Sequence, residues 1–182
     1  MSAHLFLSPH HDDETLFAAF TLLRLKPHVI FCTTPKAQER YGITADQRFP
    51  EARRAMDVLG IENYRTWPYH DDRDATDAMI LDLSCWADTY AFVWAPMYET
   101  DGHAGHNQVS IAATSAFGAD RVRFYATYRR GSARSRTDTE VTPEPDWPAL
   151  KFRAMACYES QINLDNTRPW FAADDALREW VA

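Results

Sequence analysis

Residues 10–14 read His-His-Asp-Asp-Glu, five consecutive ionisable side chains placed directly after a short apolar run and Pro9. Crowding five such groups is costly unless a cation or a reaction uses them. His10 and Asp13, in H-x-x-D spacing, can turn toward one point and offer a nitrogen and an oxygen to a metal ion. A second cluster, Asp101-Gly102-His103-Ala104-Gly105-His106, supplies another imidazole. Two His and one Asp leave a fourth position open to water, as in catalytic zinc sites. A metal held that way lowers the pKa of its bound water toward about 7 and polarises a carbonyl. A carboxylate outside the ligand set, Asp12, is then placed to take the water's proton, and a second His to stabilise an oxyanion or protonate a leaving amine. The competing reading of residues 10–14 is a solvated acidic turn capping the next helix. The second cluster decides against it. Glu14 reads as first-turn stabilisation or a brace for the loop, and His11 as a surface residue ahead of any contact role.

The elements that must position these groups follow from short apolar runs and their breakers. Strands are expected at 4–8, 29–33, 64–67, 91–95 and 122–127, each a run rich in Val, Ile, Phe or Trp with Pro or polar residues nearby. Helices are expected at 15–25, 47–59, 76–87 and 106–117, with Gly60 and Gly118 as terminators. Two more are expected in the tail, at about 148–160 and 173–181. Strands alternating with helices indicate a single α/β domain over 1–182, a Rossmann-like, largely parallel sheet flanked by helices. Ligands in that architecture bind outside the carboxyl ends of the strands. Both histidine clusters follow strands, 4–8 and 91–95, so they can meet although 93 residues separate His10 from His103.

Composition sets the outer limits. The chain has 182 residues, 46 % hydrophobic and 25 % charged, the profile of an ordinary globular protein. Its 19 basic and 26 acidic residues give a net charge of −7, which argues against a nucleic-acid partner. With six glycines there is no G-x-G-x-x-G or P-loop pattern, so no nucleotide cradle is expected. Three cysteines without a C-x-x-C, no apolar run of 18 and no leader pattern point to the cytoplasm and to no membrane segment. Residues 129–147 are rich in Ser, Thr, Pro, Arg and Glu and read as a surface loop. Arg121, Arg123, Arg129, Arg130, Arg134 and Arg136 are read first as solvated, with an anionic contact as the sharper alternative. His70-Asp71-Asp72 reads as surface or substrate contact rather than metal site, and Trp67, Trp86 and Trp94 as core.

Ser8-Pro-His-His-Asp-Asp-Glu-Thr-Leu16 resembles the [A/P]-H-P-D-D-E motif of the LmbE-like, PIG-L deacetylase family, and the His103–His106 segment resembles its H-x-x-H motif. Arg48-Phe-Pro-Glu51-Ala52 with Leu59-Gly60-Ile61 looks like its R-x-x-E-A…LG-[VI] helix. Lys151 with Tyr158-Glu-Ser-Gln161 looks like its late K…[HY]-x-S-Q segment. The resemblance implies the LmbE-like fold and zinc-dependent removal of an N-acetyl group from an amino sugar or sugar conjugate. It implies His10, Asp13 and His106 as ligands of Zn2+, or of another divalent metal such as Fe2+. It further implies Asp12 as general base, His103 as the group acting on the tetrahedral intermediate or leaving amine, and Arg48 as a substrate contact. The expected partner is a small N-acetylated sugar or glycoconjugate. Two positions depart from the family: His11 replaces the usual Pro, and Ala104-Gly105 replaces Pro-Asp. The alternatives are a metal-dependent hydrolase of another bond, such as a phosphoester, and a non-catalytic sugar-binding relative.

Overall fold

Leu5, Phe6 and Leu7 are all fully buried, with Leu5 and Leu7 packed in one core and Phe6 in the other. That alternation is what a strand covered on both faces requires. These residues form β1 (His4–Ser8), the middle one of the five parallel strands of the sheet. The computed structural model describes residues 3–128, 139–172 and 174–182. After β1 come α1 (Asp13–Leu25), β2 (His28–Thr34), α2 (Ala45–Leu59), β3 (Tyr64–His70), α3 (Thr76–Ser84), β4 (Phe92–Pro96), α4 (Ala104–Phe117) and β5 (Val122–Tyr125). Then follow β6 (Thr139–Glu140), α5 (Trp147–Met155), α6 (Glu159–Ile162), α7 (Arg168–Ala172) and β7 (Trp180–Val181). The sheet order is β3-β2-β1-β4-β5-β7-β6; the first five strands are parallel and β7 is antiparallel to both neighbours.

This is the mixed, mostly parallel α/β sheet expected, with core residues of α1, α2 and α5 on one face and of α3 and α4 on the other. Because the winding reverses at β1, the crevice between β1 and β4 opens beyond their carboxyl ends. No helix among the described residues is long and apolar enough to cross a membrane. Gly60, at φ 64°, ends α2 as expected. Strand β3 runs on through Pro68, which an edge strand tolerates because a missing N–H there breaks no ladder bond.

The tail departs from expectation. Of the helix expected at 173–181, residue 173 lies outside the described residues and the rest is not helical: a 3-10 turn, Asp174–Leu177, leads into β7, which lines up beside β5. The physical reason lies in α1. At Ala18 (φ −146°, ψ 21°) the helix kinks, which interrupts its hydrogen-bond ladder. Glu179, 1 % exposed, accepts the Phe20 N–H at 2.8 Å and the Thr21 N–H at 3.3 Å, and Lys151 Nζ lies 2.9 Å from the same carboxylate. An extended tail delivers Glu179 to that kink. The expected loop at 129–147 is likewise shortened, since β6 pairs with β7 and α5 starts at Trp147. Residues 129–138, with four of the six clustered arginines, lie outside the described residues. Arg121 donates to the carbonyls of Phe117 and Ala87, and Arg123 to those of Asp120 and Val122, which are structural roles.

Candidate active site

The loop after β1 is anchored before any chemistry is considered. Thr33 on β2 donates its N–H and its hydroxyl to the Pro9 carbonyl (3.1 and 2.7 Å), and Ser8 Oγ donates to the His10 carbonyl at 2.7 Å. Asp12 then adopts φ 148°, a conformation rare for any side-chain-bearing residue. Glu14, fully buried, holds it there: its carboxylate accepts the Asp12 N–H at 3.0 Å and the hydroxyls of Thr15 and Tyr158. Burial pushes the Glu14 pKa up despite those donors. Glu14 is therefore a brace for the loop, one of the two roles its position suggested.

The strain serves convergence. Asp13, 1 % exposed, turns Oδ2 toward His10 Nδ1 at 2.9 Å and His106 Nε2 at 3.1 Å, and accepts the His10 N–H at 3.0 Å. His106 projects from the first turn of α4, and its neighbour His103 caps that helix, accepting the Gly105 N–H on Nδ1 at 3.2 Å. The His10 and His103 rings meet edge to face, 4.8 Å between centroids. Both sequence clusters thus come together at the carboxyl ends of β1 and β4. One nitrogen from each of His10, His103 and His106 falls within a span of 4.8 Å, a group that could hold a metal ion.

The donor chemistry fits such an ion. Two donor atoms each about 2.1 Å from one ion stand about 3.0 Å apart at a right angle and about 3.4 Å at the tetrahedral angle. The Asp13 spacings suit that and suit hydrogen bonds equally. His106 separates the two cases: it is 2 % exposed, its Nε2 is out of line for a hydrogen bond to Asp13, and its Nδ1 has no partner among the described residues. A fully desolvated imidazole that meets a carboxylate on one side but has no aligned hydrogen bond on either nitrogen is well suited to a cation.

Electrostatics sort the carboxylates. Burial pushes Asp13 upward, but His106 and His10 outweigh it and hold its carboxyl well below the usual range. Burial likewise opposes a charge on His10, yet the adjoining Asp13 raises its pKa. Asp12 behaves differently. Burial lifts it to about 7 against the pull of Arg48, whose Nη2 lies 3.3 Å from Asp12 Oδ2. His103 is lowered to about 4, first by burial and then by the neighbouring His10 and His106. With Nδ1 accepting from Gly105, the neutral His103 ring carries its proton on Nε2.

Two sequence expectations change or gain detail. His11 is not a surface residue: it is 1 % exposed and stacked on Phe31, because the turn that sends His10 outward sends its neighbour into the gap between β2, β3 and α2. Arg48 is also buried, beneath Asp12 and over the Tyr158 ring, with Nε and Nη1 unpartnered among the described residues. The late segment around Tyr158 is a set of ties that sequence alone did not explain. Beside the Tyr158–Glu14 bond, Ser160 donates its N–H and hydroxyl to Glu51 on α2 (2.7 and 2.6 Å). Gln161 and Gln38 exchange reciprocal amide bonds at 3.1 Å. Above lies a cleft of about 570 Å3, walled by His10, Asp12, His103, Tyr128 and Trp170 among others. Asp71 lines it too, so the His70-Asp71-Asp72 loop contributes to the cleft wall.

Solved structures share this arrangement of elements. A deacetylase triple mutant from the teicoplanin biosynthetic pathway is 19 % identical, with a TM-score of 0.76 over 98 % of this chain and 96 % of that one. The N,N'-diacetylchitobiose deacetylase from Pyrococcus horikoshii is 17 % identical, TM-score 0.65, over 90 % and 72 %. The 4-carboxy-2-hydroxymuconate hydratase from Pseudomonas putida KT2440 is 14 % identical, TM-score 0.65, over 94 % and 83 %. At these identities the likeness is one of fold, and the fold carries more than one chemistry. No curated protein matches the sequence. The family model "PIG-L: GlcNAc-PI de-N-acetylase" matches residues 5–117, from within β1 to the end of α4, a stretch containing every histidine and carboxylate of the convergent cluster. The chain belongs to the PIG-L, LmbE-like family.

Proposed function

We propose that the protein is a metal-dependent amidohydrolase that removes the N-acetyl group from an amino sugar or sugar conjugate. The observation that carries this reading is the meeting of Asp13 Oδ2 with His10 and His106 at a cleft that His10 lines, beside a second carboxylate, Asp12, left out of that contact. His10, Asp13 and His106 would hold the ion, with zinc the first choice and Fe2+ the alternative for a set of two imidazoles and one carboxylate. When bound, the ion supplies a lowered pKa for water and polarisation of the acetyl carbonyl.

The chain's own groups do the rest. Asp12 takes the proton of the attacking water on its carboxylate, kept in place by Arg48 and by its own strained backbone. His103 presents its Nε2–H to the oxygen on which charge develops. As the C–N bond breaks, Asp12 returns its proton to the departing nitrogen, and acetate and a free amine leave. Arg48, 1 % exposed and with Nε and Nη1 buried, would serve by fixing the Asp12 carboxylate from beneath rather than by meeting substrate directly. Tyr128 and Trp170, packed edge to face at 4.9 Å, give an aromatic wall on which a sugar ring can rest. A phosphoester reading would need cations free to grip a phosphate, and the described members of the arginine cluster, Arg121 and Arg123, bind backbone carbonyls.

The test is acetate release from a panel of N-acetylated sugars and conjugates, with metal content measured on the same sample. Asp12→Ala should abolish acetate release and keep the metal. Unchanged turnover would remove Asp12 as the base, and a parent protein without stoichiometric divalent metal would remove the whole site assignment.

A further inference from the structure

The family habitually has Pro where this chain has His11, and a proline would stiffen the loop that carries His10, Asp12 and Asp13. Here the loop is held another way. The His11 ring stacks on Phe31 of β2, 4.4 Å between centroids and 13° between planes. Phe49 of α2 also packs against the ring, at 4.9 Å and 35°. Its Nε2 bonds Thr66 Oγ1 of β3 at 2.9 Å. Phe31 and Thr66 are register partners on adjacent strands, so one imidazole engages both strands at a single rung of the sheet. The ring, 1 % exposed, also lines a groove of about 340 Å3 with Phe49 and Tyr64, and the stack and the Thr66 bond are the contacts that fix its orientation there.

We infer that His11 is a positioning residue, which through Phe31 and Thr66 sets where its neighbours His10 and Asp12 stand. The inference rests on the reading of the cluster as a metal-dependent deacetylase site. A side chain that orients ligands without touching the ion changes metal affinity or activity by about 10- to 100-fold when lost.

Thr66→Val is the cleanest probe, since it keeps the β-branched shape on β3 and exchanges the hydroxyl for a methyl, at the cost of one hydrogen bond. His11→Ala removes both attachments. The measurements are zinc affinity by chelator competition, the split of kcat from KM for acetate release, and the melting temperature. Thr66→Val should weaken zinc about tenfold and lower kcat with KM unchanged, at a melting temperature no more than about 5 °C below the parent. Thr66→Ser should restore both values, and His11→Ala should lose at least as much as Thr66→Val. If Thr66→Val and His11→Ala both hold zinc and turn over within twofold of a zinc-binding parent, the positioning role is overturned while the deacetylase reading stands. If the parent binds no zinc, the site reading falls and the inference with it.

Discussion

The Glu179 carboxylate at the kink of α1 makes a strong quantitative claim. Glu179→Ala deletes the acceptor of two buried backbone N–H groups, those of Phe20 and Thr21, and the carboxylate facing Lys151. Leaving a buried donor unsatisfied costs about 1–3 kcal/mol, and removing one partner of a buried ion pair about 3–5 kcal/mol. These overlap, so about 4 kcal/mol is the expected loss. At about 2.1 cal/mol/K per residue, 182 residues give an unfolding entropy near 0.4 kcal/mol/K, and the melting temperature should fall by about 10 °C. The assay is urea and thermal unfolding of Glu179→Ala, Lys151→Met and the double variant. Because Lys151 also lies 5.0 Å from the Phe20 ring centroid, the double-mutant cycle is needed to isolate the pair. The two single losses should exceed the double loss by at least about 2 kcal/mol, since an apolar replacement of both charges leaves no ion exposed to a low dielectric. A Glu179→Ala loss below about 1 kcal/mol, or strict additivity, would refute the account of the kink.

Three other outcomes can be stated briefly. In Gly105→Ala the new Cβ would stand 3.1 Å from His10 Nε2 and 3.3 Å from His103 Nδ1. His10 is fixed by Asp13 through ring and backbone and cannot yield, so zinc affinity should drop about tenfold; equal chelator-competition curves for parent and variant would show that the ring has room. His28 is pushed down to about 4, first by burial and then by Arg65, whose Nε donates to its Nε2, while Tyr90 and Trp86 pack around it. The unfolded chain therefore takes up a proton near pH 6.5 that the native state refuses until about pH 4, so stability falls as pH drops through that window, by about 3 kcal/mol. His28→Gln should flatten that part of the pH–stability curve, and parallel curves would discard the assignment. Tyr158→Phe removes the hydroxyl donated to Glu14 and should cost about 1–2 kcal/mol in urea unfolding, because a buried carboxylate loses a donor; an unchanged midpoint would count against the brace.

Much of the fold was legible because its signals are local. Strands such as Leu5–Leu7 and Val29–Phe31 are apolar runs, with Pro or polar residues at their ends, and the parallel order places the loops after β1 and β4 side by side. The meeting of His10 with His103 and His106 follows from that topology. What stayed hidden depends on partners far along the chain. His11 sits in a run of polar residues, and nothing nearby signals that Phe31 and Thr66 will bury it. The tail at 173–181 carries Ala176, Leu177 and Trp180 at near-helical spacing, while a two-residue strand is too short to show a period of two. Arg48 was recognisable as a motif residue, but its place beneath Asp12 needed the packing of α2 against the site loop.

The ties from Tyr158, Ser160, Gln161 and Glu179 back to Glu14, Glu51, Gln38 and α1 bear on the order of assembly. The partners are separated by 144, 109, 123 and 159 residues, so closing them is among the slowest contacts the chain must make. During synthesis the ligand-bearing loops emerge well before the residues that clamp them. Until Tyr158 arrives, the Glu14 carboxylate that holds the unfavourable Asp12 backbone angle lacks one of its own donors. Completion of the pocket is thus deferred until residues 158–179 have left the ribosome.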